Sequence, residues 1–188
     1  MNGLERDEYR VLRTTIARRG TIRSVLFLTG IVAWAALLAV VLVWLPYPLA
    51  ALIPLMVLVA TFDAIRPLHF GAERIGRYLQ AFYEEAGGPR PLAVVPSWEK
   101  VAMVFGSAVP GAGGHPLFVP VFGLATLVNY LGVVLPGPVA IELGSLAVPH
   151  VAFLVWLVMN DRAVRSQRAI ELARFRALRD EKRSEGTP

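Results

Sequence analysis

Polar and apolar positions alternate along this chain in long blocks rather than in short periods. Residues 24–62 form a run of 39 without an Asp, Glu, Lys, Arg or His. One helix crossing a bilayer needs about 20 such residues, so the run is long enough for two. Pro46 and Pro48 interrupt it at its middle, where a helix has to stop and turn. Two antiparallel helices, about 24–45 and 49–65, are therefore predicted. From Val101 to Asn160 a second apolar stretch contains only one formal charge, Glu142, and Pro136-Gly137-Pro138 divides it in the same way. It predicts helices at about 117–135 and 139–159.

The segments between and around these blocks carry the charge. Residues 1–23 hold six Arg and three acids, with Tyr9, Leu12 and Ile16 on one helical stripe. This predicts a short basic helix on a membrane surface, broken at Gly20. After Asp63, the spacing of Ile65, Leu68, Ala72, Ile75, Leu79, Phe82 and Tyr83 traces one helical face, with Arg66, Glu73, Arg74, Arg77, Gln80 and Glu84 covering the other. Pro67 marks a bend or restart, and Gly87-Gly88-Pro89 an end. Such a face meets either lipid or protein. Residues 66–116 thus read as an amphipathic helix and a Gly/Pro-rich loop, and 160–188 as a basic tail that starts as a helical extension.

The fold class that follows is an all-α integral membrane protein. Four transmembrane helices form two hairpins, with an amphipathic helix between them and a helical C-terminal extension. Composition agrees: 55% of the residues are hydrophobic and 18% charged, against about 25% charged in an ordinary soluble domain. The first span is expected to be retained, because mixed charge precedes it and no small-residue cleavage signal follows. All 19 Lys and Arg fall before, between or after the two hairpins, as six, five and eight, and none lies in an interhelical turn. Basic segments stay on the cytoplasmic side, so both termini are predicted inside an inner (plasma) membrane. The basic balance implies anionic lipid rather than nucleic acid, with Arg18, Arg19, Arg23, Arg162 and Arg165 at the headgroups.

Within the spans, small residues at Ala35 and Ala39 are candidates for close helix contact, and Pro54 for a kink in the second helix. Trp44 and Tyr47 have the amphipathic character of interfacial anchors. Glu142 is the one acid inside a predicted span, and an intramembrane carboxylate is a functional candidate. Pairing residues equidistant from Gly137 sets Asn129 near Ser145, so Glu142, Ser145 and Asn129 are a candidate polar cluster. His150, just after Pro149, is a candidate proton relay or axial ligand of haem or chlorophyll. No second histidine lies on a span to complete a bis-ligated haem. Asp63 and Arg66 are spaced to pair on one helical face.

There is no cysteine, hence no thiolate nucleophile or ligand, and no spacing of metal ligands or of catalytic residues is visible. The Gly111-Ala112-Gly113-Gly114 run lacks the phosphate-loop fingerprint. The function expected is a non-catalytic accessory or scaffold subunit of a membrane complex, as a homo-oligomer or with other chains. The alternatives are a small oligomeric transporter or channel built on Glu142, and a tetrapyrrole-binding subunit built on His150.

Overall fold

A computed structural model of the chain describes residues 3–45, 47–85 and 117–185. These residues are almost entirely helical, and no strand occurs among them. The helices are α1 (Gly3–Trp44), α2 (Leu52–Leu79), α3 (Val119–Val134) and α4 (Ala140–Glu185). A 3-10 turn at Pro48–Ala51 leads into α2, and a π-helical turn at Gln80–Glu84 ends it. Three stretches are long and apolar enough to cross a membrane: Arg6–Trp44, Pro48–Tyr83 and Ala140–Glu181. The Gly87-Gly88-Pro89 stop, the glycine run at 111–114 and His115 lie outside the described residues.

Several predicted boundaries change. The N-terminal segment is not a separate short helix, since α1 runs through Gly20 without a break. One glycine costs a helix only about 1 kcal/mol, and more than forty residues of continuous helix outweigh it. Pro67 neither ends nor restarts α2. Pro54 lies in the first turn of α2, where its missing N–H would have no helical partner, so it has no hydrogen bond to remove. The predicted third span, 117–135, is the 16-residue α3. At 1.5 Å per residue it is about 24 Å long, shorter than the other three. Phe118, at φ 53°, sets its left-handed start, and Leu135-Pro136 its end.

The chain divides into two compact units. One comprises Ile22–Leu68 and His115–Ala163. Here Leu146, His150, Phe153, Leu157 and Asn160 are buried along α4, and Ala51, Leu55, Leu58, Phe62 and Ile65 along the second segment. Spacings of three and four residues make each set one helical seam. The seams meet in an aromatic layer: Phe62 lies edge-on to Phe122 at 5.4 Å, to Phe153 at 6.0 Å and to Trp156 at 5.0 Å between ring centroids. Such pairs contribute about 0.5–1.5 kcal/mol each beyond the area they bury. Toward the charged ends, the Arg66 guanidinium lies over Trp156 and bonds both Asp63 (3.4 Å) and Asn160 (3.5 Å). The predicted Asp63–Arg66 pair is therefore present.

Close helix approach uses glycines, not the predicted alanines. Ala35 and Ala39 are exposed, whereas Gly30 is buried against the Thr61 side chain. Gly132 faces Ala51, Leu38 and Leu42.

The other unit comprises Met1–Thr21, His69–Gly114 and Val164–Pro188. Its described residues answer what the amphipathic face meets: protein of the same chain. Tyr83 packs on Tyr9 at 5.7 Å, and Tyr78 on Phe175 at 6.0 Å. The polar side is not simply solvated, because Arg77 is 5% exposed and sits 3.0 Å from Glu171 and 3.5 Å from Glu73. Arg176 and Arg179 converge on Glu85 at 2.7 and 3.5 Å. Tyr78 donates its hydroxyl to Glu8 at 3.2 Å. Burial, with the negative charge of Glu8 alongside, pushes the Tyr78 and Tyr83 phenols above their ordinary range.

Two substitutions test this packing. Gly30→Ala drives a methyl group into Thr61, whose hydroxyl is tied to the Val57 carbonyl at 2.7 Å. Unfolding in detergent should show a loss of about 1–3 kcal/mol, part of it recovered by Thr61→Ala. Glu171→Gln leaves the buried Arg77 guanidinium short of one carboxylate and should cost about 3 kcal/mol. The same change at exposed Glu142 should cost under about 1 kcal/mol.

Candidate functional site

Asparagine is costly inside an apolar bundle unless each of its polar atoms finds a partner. Asn129, fully buried on α3, finds three. Its Oδ1 accepts the indole N–H of Trp34, from α1, at 3.1 Å. Its amide nitrogen donates to the Ala51 carbonyl at 2.9 Å and lies 3.0 Å from His150 Nε2. His150, 3% exposed on α4, closes the network with Nδ1 2.8 Å from the Leu146 carbonyl. The Tyr130 ring stands edge-on to the imidazole at 5.1 Å between centroids, and the Tyr130 hydroxyl donates to the Leu143 carbonyl at 2.9 Å.

Chemical logic assigns every proton in this network. A carbonyl only accepts, so His150 Nδ1 carries hydrogen. The Asn129 nitrogen donates to Nε2, so Nε2 is the bare acceptor and the ring is neutral. Rotating the amide by half a turn would set Oδ1 against the Ala51 carbonyl and the amide hydrogens against the indole N–H. One tautomer and one amide orientation satisfy all the groups. Pro149 lies directly before His150 and has no N–H to donate to the Ser145 carbonyl.

The predicted cluster of Glu142, Ser145 and Asn129 does not assemble. Glu142 and Ser145 are exposed. Glu142 lies one turn before the buried seam begins at Leu146, and its carboxylate accepts the Val139 N–H at 3.1 Å. That is the reciprocal half of a capping box and a sufficient reason for an acid in the first turn. Ser145 lies off the seam and donates to the Glu142 carbonyl at 3.1 Å. Counting residues from Gly137 estimates height along the helices but not the direction each side chain takes. Asn129 meets His150 instead.

For a metal or tetrapyrrole, His150 has no ring nitrogen to spare in this arrangement. Among the described residues no group of three or more His, Asp or Glu is placed to hold a metal ion. Of the predicted headgroup arginines, Arg18, Arg162 and Arg165 are exposed. The Arg19 guanidinium fills the space beside Gly71, and Arg23 lies over the Phe118 ring at 5.7 Å. Trp34 was not among the predicted residues. Its signal is present in the chain, because a tryptophan at mid-span, far from the interfacial belt, needs a partner for its N–H.

No protein family matches the chain, and comparison with curated proteins and with solved structures finds no match.

A double-mutant cycle measures the network. Asn129→Ala strands the Trp34 N–H and takes the donor from His150 Nε2, and should cost about 1–3 kcal/mol. Trp34→Phe removes the donor alone and should cost less. In the double variant the two losses should fall short of additivity, read by denaturant unfolding in micelles.

Proposed function

We propose that the chain is a four-span inner-membrane protein with both termini in the cytoplasm, acting as a non-catalytic accessory or scaffold subunit of a membrane complex. Two hairpins, α1 with the start of α2 and α3 with the start of α4, form its membrane part. In this reading α3 crosses with help from its apolar flanks, Leu117, Phe118 and Leu135.

The observation that carries the reading is the mutual satisfaction of the interior polar groups. Asn129, His150 and Trp34 spend their hydrogen bonds on one another and on backbone carbonyls, leaving none directed at a substrate. Beside this layer lies the aromatic one around Phe62. One cavity among the described residues, lined by Val41, Leu42, Leu45, Gly132, Leu135 and Pro136, holds about 140 Å³, below the roughly 300–1,000 Å³ of ordinary ligand pockets. Large apolar side chains turn outward instead, among them Leu28 (61% exposed), Val32 (68%) and Met56 (70%). Surface of this kind is stable against lipid tails or another apolar chain. A transporter built on Glu142, Asn129, Ser145 and His150 needs those side chains around a common cavity; the exposure of Glu142 and Ser145, away from the buried Asn129–His150 pair, favours the accessory role.

The natural absence of cysteine makes topology directly testable. Tyr47→Cys and Val139→Cys should react with an impermeant maleimide added outside intact cells. Val11→Cys and Ile170→Cys should react only after permeabilisation, and labelling of all four from one side would defeat the four-span arrangement. Gentle extraction from the native membrane, followed by mass spectrometry, should recover a defined complex. Solute or ion flux by the purified chain alone in liposomes would overturn the accessory role.

A further inference from the structure

The donor–acceptor logic at His150 leaves no place for a second proton. An imidazolium carries N–H at both nitrogens. Nδ1 would keep the Leu146 carbonyl, but Nε2–H would point at the amide hydrogens of Asn129, 3.0 Å away. Turning the amide over gives Nε2–H an acceptor, yet it opposes Oδ1 to the Ala51 carbonyl and the amide nitrogen to the Trp34 indole. Two good bonds are lost for one gained. Among the described residues, none of the groups placed around His150 carries a charge that could neutralise the new one. They are the Asn129 amide and Tyr130 ring on α3 and the Leu146 carbonyl on α4 itself, with the Trp34 indole on α1 and the Ala51 carbonyl of the 3-10 turn bonded to Asn129 behind them. Tyr130 is the one titratable group among them. Glu142 is exposed two turns earlier on α4 and caps the helix.

We propose that the Trp34–Asn129–His150 network is a proton-sensitive latch: protonation of His150 releases Asn129 and unties α1 and the Pro48–Ala51 turn from α3 and α4. The ordinary titration of histidine lies within a physiological range of acidity. Pro149, which has no N–H to donate, is the point at which α4 can yield once the latch opens. The latch is independent of whether the chain is an accessory subunit, because it concerns only the bundle's own closure.

The test uses the full-length protein in nanodiscs between about pH 8 and about pH 5. Imidazole ¹⁵N resonances should show His150 as the neutral Nδ1–H tautomer at the higher pH and doubly protonated at the lower, the His150→Gln spectrum identifying its signals among those of His69 and His115. Over the same pH interval, hydrogen exchange at the Trp34 indole, corrected for its intrinsic pH dependence, should quicken by about tenfold or more, and the unfolding midpoint should fall by about 5 °C. His150→Gln should abolish both changes. Asn129→Asp, whose two oxygens both accept, should hold the imidazolium and resist acidification. A His150 that stays neutral to pH 5, or that takes up a proton while Trp34 exchange is unchanged, overturns the latch. So does an Asn129→Asp protein that loses stability on acidification as the wild type does.

Discussion

One carboxamide binds four separate stretches of chain. Asn129 receives a hydrogen bond from α1 and gives one each to the turn before α2 and to α4. In an apolar surrounding no water is at hand to take up a polar group that loses its partner, so the choice for each is a specific partner or a large penalty. Apolar packing tolerates slight rotations and shifts of a helix, whereas this network accepts one arrangement of four segments. Around it the less directional contacts fall into place. Gly132, one turn along α3, lets Ala51 and Leu38 approach, and Phe122 carries the aromatic layer on the other side.

The unit containing Glu73, Arg77 and Glu171 meets the same constraint with charge in place of amides. A guanidinium 5% exposed is tolerable because two carboxylates reach it, and Arg74 and Arg168 balance those carboxylates in turn. Such pairs add little net stability over an apolar core of equal volume, but they penalise misplacement heavily. The π-helical turn at Gln80–Glu84 shifts the phase of the helix just before Glu85, which then meets Arg176 and Arg179.

The helical blocks were legible because their signal is additive. Dozens of uncharged residues in sequence, and proline pairs at the breaks, leave little room for another reading. The stripe from Ile65 to Tyr83 was legible for the same reason. Its partner was not, since periodicity marks a face without saying what covers it. Arg77 was assigned to solvent because a lone arginine usually belongs there, and only a carboxylate nearly a hundred residues away reverses that assignment. Glu142 drew attention as an acid in an apolar run, yet its position three residues into α4 already contains the plainer explanation of a helix cap.

By itself, the sequence determined that the chain is helical, that its helices include long apolar stretches, and which segments carry charge. It predicted four spans, where the structure has three helices long and apolar enough to cross a membrane and a shorter α3. Helicity, apolarity and charge depend on neighbours in the chain and on transfer from water, both of which are local. The tertiary structure alone decided the hydrogen-bond pairs. Asn129 and His150 could each have been a site, a cap or a lipid-facing polar residue. They became one satisfied network because the rotation of α3 and α4 about their own axes brought their seams together. Rotation of that kind is set by the sum of all contacts along two helices, and no single stretch of sequence contains it.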